Sequence, residues 1–184
     1  KQGNDVLIWA REPDVVESIN QKHVNDTFLP ASPLVADLQA SSDIVEVARE
    51  RDLLVSAVPT HAVRSVMTKV TPVLARPKPI VVSVSKGLEP GTLDTMAAVL
   101  EETLPGCPVV VLSGPSFAQE VYRQQPTAVV AASEDPHAAE TVQQTLSTKY
   151  FRVYTSADVV GVELGGALKN VIAIAAGILE GLDL

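Results

Sequence analysis

Cysteine is nearly absent: Cys107 alone stands in 184 residues, which excludes a disulfide scaffold and fits a reducing, cytoplasmic compartment. It lies in the turn-like run Leu104-Pro105-Gly106-Cys107-Pro108, where a loop thiol without a task is expected. His23, His61 and His137 are too scattered to pair as ligands at helical spacing, so no metal is expected. Aromatics are few (three Phe, three Tyr, one Trp) and no basic stripe runs among them, which removes the stacking platforms of single-strand binders. Positive charge is scarce too: 14 Lys and Arg against 22 Asp and Glu leave −8, a balance that repels a phosphate backbone and argues against a nucleic-acid partner. The most apolar stretch, Val171 to Leu179, is bounded by Lys169 and Glu180 and falls far below the ~20 residues of a membrane span; none is expected. The opening residues carry no charged-then-apolar signal peptide, and a start without methionine points to an incomplete chain.

What is present suffices for a core: 46% apolar residues, 20% charged residues and a mean hydropathy of +0.21. The length is about 1.2 times that of a ~150-residue domain, one domain plus a fragment. Short β-branched runs recur at Val6 to Trp9, Leu53 to Val58, Ile80 to Val84, Val109 to Leu112, Ala128 to Ala131 and Phe151 to Tyr154. Several are apolar throughout, as strands buried on both faces require. Between them Pro13 to Asn20, Ser42 to Glu50, His61 to Leu74, Thr92 to Glu102, Ser116 to Arg123 and Pro136 to Thr148 carry apolar residues at three or four spacing. Alternating strand and helix implies crossover connections, hence an α/β fold with a Rossmann-type, doubly wound, mainly parallel sheet over residues 1–157. From Asp158, which can cap a helix, the rhythm stops, and 158–184 reads as the first helix of a second, helical domain.

Ligands of open α/β sheets bind beyond the carboxyl ends of the strands. Lys86-Gly87 directly follows the third run, where a cation suits an anionic substrate, although a solvated lysine in a turn has the same pattern. Gly114-Pro115-Ser116 follows the fourth run, and Ser116 with Gln119 fits a capping box that orients backbone N–H groups toward an anion or merely caps the helix. On the terminal helix, positions four apart read Gly161, Gly165, Lys169, Ala173, Gly177 and Gly181, a face of small residues interrupted by one lysine. Four helical glycines cost about 1 kcal/mol each relative to alanine, so something is expected to lie against that face. Either another helix packs there and Lys169 reaches solvent, or Lys169 is the cation at the base of a cleft. A lysine that is desolvated, or set beside a second cation such as Lys86, can exchange a proton near neutral pH.

Three segments, Ser85-Lys86-Gly87-Leu88-Glu89, Ser113-Gly114-Pro115-Ser116-Phe117-Ala118 with Glu120, and Gly161 through Ala173, resemble the bacterial NAD(P)-dependent glycerol-3-phosphate dehydrogenases in order and across nearly the whole chain. The resemblance implies an oxidoreductase that interconverts sn-glycerol 3-phosphate and dihydroxyacetone phosphate by hydride transfer with NADP(H) or NAD(H), feeding glycerophospholipid synthesis. It implies that Lys169 accepts or donates the proton and that Asn170 supports it. Lys86 would contact substrate and cofactor, Gly114 and Ser116 the substrate, and Ala118 the cofactor. Pro59, in Pro59-Thr60-His61, would border the cofactor. Arg11 follows Leu7-Ile8-Trp9-Ala10 where a Rossmann unit reads the ribose, and an arginine there accepts a 2′-phosphate, although Glu12 and Asp14 are adjacent acids. The partner is a small phosphorylated substrate, and a homodimer is compatible with the sequence.

Two departures stand out. No G-x-G-x-x-G loop is present, and the helical domain that in the family clamps the substrate phosphate is missing. The segment alone is therefore expected to be inactive and prone to associate through uncovered strand edges. A related two-domain dehydrogenase acting on another hydroxy acid or sugar phosphate, or a non-catalytic dinucleotide-binding module, are the alternative readings.

Overall fold

The apolar runs become strands because valines on both sides of each find a helix layer to bury them. A computed structural model describes residues 3–74 and 77–183. Strand β1 (Leu7–Trp9) is followed by helix α1 (Pro13–Glu17) and a π-turn over Ser18–Lys22, then β2 (Gln39–Ser41) and α2 (Ile44–Ala48). Next come β3 (Leu53–Ser56), α3 (Thr60–Val70), a 3-10 turn over Thr71–Val73, β4 (Ile80–Ser83), α4 (Met96–Thr103) and β5 (Val109–Ser113). The chain continues through α5 (Ala118–Tyr122), β6 (Thr127–Ala132), α6 (Pro136–Leu146), β7 (Phe151–Ser156) and the long α7 (Val159–Gly181).

Strands β1 and β2 pair in parallel as one sheet, and a second sheet runs β3-β4-β5-β6-β7. Within it only β5 and β6 pair antiparallel among the described residues. The expected mainly parallel Rossmann-like α/β architecture is what the chain adopts.

Alternation within the strands explains their unbroken apolarity. Val81, Val109 and Val111 face Val63, Val66 and Met67 of α3 and Met96, Val99 and Leu100 of α4, while Val82 and Val110 join Val129, Ala131 and Val153 against Ala138 and Val142 of α6. Each fully buried valine contributes roughly 1.5–3 kcal/mol relative to an exposed one. At the sheet's edge, β7 keeps only Val153 buried between exposed Arg152 and Tyr154, as a strand with one wet face does. Trp9 ties the small sheet to the body by packing on the α3–α4 core, while its Nε1 donates to Ser42 O, just beyond β2, at 3.1 Å.

Several expectations need correction. β2 carries no β-branched residue; Asn20 holds it in place, its Nδ2 donating to Ala40 O at 2.9 Å and its Oδ1 accepting from Ala40 N at 2.8 Å. Helix α4 starts at Met96 rather than Thr92, because Glu89 N donates to Asp94 O and Leu93 N to Glu89 O, folding 89–94 into a loop. Cys107 does lie in the loop between α4 and β5, but it is buried against the α3–α4 core, and burial pushes its thiol pKa up. Finally, Val171–Leu179 belongs to a 23-residue helix that is long and apolar enough, by length and composition only, to cross a membrane.

Candidate active site

The carboxyl ends of β3, β4 and β5 bring several of the expected residues together. Ser85 Oγ donates to Val58 O at 2.5 Å, joining the segments after β4 and β3 into the walls of an open cavity of about 410 Å³. Pro59, Thr60 and His61 line it on one side and Lys86 on the other. Lys86 Nζ donates to Gly114 O at 2.6 Å, and Ser116 Oγ donates to the same carbonyl at 3.3 Å. Gly114 must lack a side chain: a Cβ there would come within 2.7 Å of Ala128 O and 2.9 Å of Val129 Cα on β6.

Electrostatics links this cluster to α7. Burial, and secondly the positive charge of Lys169, lower the Lys86 pKa below its ordinary value. The two lysines are thus within reach of each other's field at one end of the sheet. Lys169 Nζ donates to Asn170 Oδ1 at 2.6 Å. The amine is not at the base of a cleft, however: every residue from 168 to 183 is exposed, because α7 leaves the sheet after its first two turns.

The small-residue face behaves differently from expectation. A Cβ on Gly165, Gly177 or Gly181 would meet no atom within 4 Å, and at Gly161 it would meet only the capping side chain of Asp158, so no other element among the described residues lies against these four glycines. The close approach is made one position away, at Gly166, where a Cβ would come within 2.7 Å of Ser113 Oγ and 3.8 Å of Lys86 Cγ. The capping box also fails to form. Helix α5 begins at Ala118 with Phe117 as its cap residue and no side-chain cap, since the Ser116 hydroxyl is engaged with Gly114 O. Ala118 itself is exposed at the start of α5, two residues beyond Ser116. Arg11 stands apart from the lysines, its exposed guanidinium donating to Glu12 Oε1 from Nε at 3.0 Å and Nη2 at 2.6 Å.

Three further groups had no assigned role in the sequence. Arg64 of α3 bonds Glu89 through Nε and Nη2 at 2.9 Å each and Glu102 through Nη1 at 2.6 Å, pinning the loop that follows Lys86. The guanidinium, and after it the Thr92 hydroxyl, hold the Glu89 carboxyl below the usual range. Gly166 and the buried Glu163 were visible only as letters of the motif; an acid between Val162 and Leu164 in an apolar helix was the one available signal for Glu163.

Comparison with known proteins gives this geometry a family. The family model for the N-terminus of NAD-dependent glycerol-3-phosphate dehydrogenase matches residues 1–139, and that for its C-terminus matches 158–184. The chain belongs to the NAD-dependent glycerol-3-phosphate dehydrogenase family. It is 50% identical over 189 aligned residues to the glycerol-3-phosphate dehydrogenase [NAD(P)+] of Geobacter metallireducens, with all of this chain and 56% of that protein covered. The enzyme of that name from Lysinibacillus sphaericus is 48% identical, with all of this chain and 55% of that protein covered. The crystal structure of glycerol-3-phosphate dehydrogenase from Coxiella burnetii superposes with a TM-score of 0.88 at 34% identity, covering 99% of this chain and 55% of that one. The chain thus spans about half the length of the curated relatives it matches. In this family α7 is the helix that begins the second domain, and its apolar surface is not a membrane span.

Proposed function

We propose that the intact protein is a glycerol-3-phosphate dehydrogenase that uses NADP(H) or NAD(H), with residues 1–157 as its dinucleotide-binding half and 158–184 opening its substrate half. The observation that carries this reading is the pair of amines at the carboxyl end of a parallel sheet: Lys86, held on Gly114 O, lies within the field of Lys169. The residues present fit a dinucleotide along that rim. The cavity after β3 and β4 is open, Pro59 forms part of its wall, and Lys86 supplies the cation at its edge. Arg11, at the end of β1, is the group to meet a 2′-phosphate once it exchanges its surface partner Glu12. Ala118 completes the cofactor side. When bound, the nicotinamide accepts or donates the hydride.

On the substrate side, Lys169 in its neutral form takes the hydroxyl proton of glycerol 3-phosphate as the hydride leaves the carbon that bears that hydroxyl, and returns it in the reverse direction. Asn170 orients the amine through the bond already made to it. Lys86 stabilises the oxygen on which negative charge develops, and Gly114 and Ser116 border the phosphorylated substrate. The compact cation at a strand end suits this small anion better than it suits a neutral alcohol. A cytoplasmic location and a supply role for glycerophospholipid synthesis complete the proposal. Mixing the intact protein with NADPH and dihydroxyacetone phosphate tests it: oxidation of NADPH that needs the ketone supports the reading, and no oxidation with either NADPH or NADH overturns it.

A further inference from the structure

Glu163 is a buried acid in the first half of α7, and the proposed chemistry makes no use of it. Its Oε1 accepts the backbone N–H of Ala97, in the first turn of α4, at 2.9 Å across a sequence separation of 66. Its Oε2 is buried with no hydrogen-bond partner among the described residues. A carboxylate desolvated to this degree for one hydrogen bond is poorly explained by stability alone. It is well placed to act on geometry, because its single bond is made to the positive end of a helix embedded in the sheet domain.

The helix period shows what that bond controls. Steps of three residues advance about 4.5 Å along an α-helix and rotate by about 60°. Glu163, Gly166 and Lys169 are successive steps of this kind. Glu163 meets α4, Gly166 lies against Ser113 and Lys86, and Lys169 stands one step farther along the rim. Formation of α7 does not depend on Glu163, since Asp158 caps the helix independently by accepting Gly161 N at 2.8 Å. Beyond Ala167 the described helix is exposed, so its rotation and depth are set within its first turns, by Val159 and Val162 packed on the α3–α4 core and by the Glu163 and Gly166 contacts, of which the Glu163 bond is the directional one.

We propose that Glu163 is a positioning residue, a strut whose carboxylate on the first turn of α4 fixes the rotation at which α7 presents Lys169 beside Lys86. The inference rests on the dehydrogenase reading above. Because the strut acts where the proton moves and not where the dinucleotide lies, its loss lowers kcat and leaves cofactor affinity in place. Gln keeps an oxygen that can accept from Ala97 N, so it rescues; Ala keeps none, and Asp draws the carboxylate back by one methylene.

The test uses the intact protein as wild type, E163A, E163Q and E163D, with NADPH and dihydroxyacetone phosphate, together with amide hydrogen exchange at Ala97. The expected result is at least a tenfold fall in kcat for E163A, a KM for NADPH within twofold of wild type, and E163Q within threefold of wild type in kcat. Ala97 exchange is expected to rise at least tenfold in E163A and to stay protected in E163Q. If E163A does not accumulate as folded protein, E163D decides, with the same loss of kcat expected. A kcat within twofold of wild type in E163A, or in E163D where that variant decides, would overturn the proposal even if thermal stability fell, as would E163Q being as impaired as E163A. An inactive wild type would instead overturn the dehydrogenase reading and this inference with it.

Discussion

Lys86 and Lys169 stand at one end of the same sheet but are held in opposite ways. Lys86 follows a strand buried on both faces, its ammonium is bonded to Gly114 O, and the loop behind it is clamped by Arg64 through Glu89. Lys169 sits on an exposed stretch of helix, bonded only to the neighbouring Asn170 among the described residues. The sheet side of the site is therefore organised by the α/β core, whereas the helix side depends on a few contacts near the start of α7, those of Val159, Val162, Glu163 and Gly166. A cation that must bind an anion repeatedly gains from the first arrangement, because no reorganisation accompanies binding. A proton carrier placed by a helix can be brought up or withdrawn by small movements of that helix.

Breaking the rigid side should have the largest effect. Replacing Lys86 by Met in the intact protein should lower kcat/KM for dihydroxyacetone phosphate by about a hundredfold, the cost typical of losing one preorganised charge-stabilising donor; a loss below threefold in steady-state assays would show that this amine is a bystander. Gly114→Ala attacks the same side through the backbone. Its Cβ would clash with Ala128 O and Val129 Cα, neither of which can turn away. The expected loss is about 1–3 kcal/mol by urea denaturation. Gly166→Ala, which meets only the Ser113 hydroxyl and the stem of Lys86, should cost less. Equal losses in the two variants would erase the distinction between a fixed and an adjustable side.

Smaller effects sharpen the contrast. Arg11→Ala should weaken NADPH binding about tenfold in a fluorescence titration and leave NADH unchanged, because the lost group is a single exposed cation that under the proposed reading would meet the 2′-phosphate. Equal weakening of both cofactors would remove that role. The amine of Lys86 offers the finest probe. Burial and the neighbouring charge disfavour its charged form, so the folded protein binds fewer protons than the unfolded chain between the lowered pKa and about 10.5. Stability from this group accordingly rises with pH across that window and is reduced below it. Substituting Lys169 by Met removes the second cause, and Lys86 should titrate closer to its ordinary value while burial still holds it below, as NMR of isotopically labelled lysine would report. An unchanged titration would mean that the two amines do not feel each other.

Much of this layout was legible from residues alone, for physical reasons. A strand covered on both faces is apolar at nearly every position, so the runs Ile80 to Val84 and Val109 to Leu112 announced the sheet. Asp158 announced the start of α7 because a helix opening needs an acceptor for its first N–H groups. What stayed hidden depends on contacts far apart in sequence. Strand β2 is recognised by the side chain of Asn20, not by its own composition. The contact of Gly166 with Ser113 lies beside a conspicuous stripe of small residues whose Gly165, Gly177 and Gly181 meet nothing among the described residues. Ser116 has the sequence of a capping residue, yet the carbonyl of Gly114 captures its hydroxyl, a competition that a local pattern cannot register.

The central claim is that the amine of Lys169 moves the proton while the sheet holds the ligands. It is tested most directly by the single-turnover rate of dihydroxyacetone phosphate reduction by the intact protein and its Lys169→Ala variant, each preloaded with NADPH. A rate at least a thousandfold lower in the variant, with NADPH affinity within twofold, is the predicted result. A variant that reduces the ketone within tenfold of wild type would contradict it.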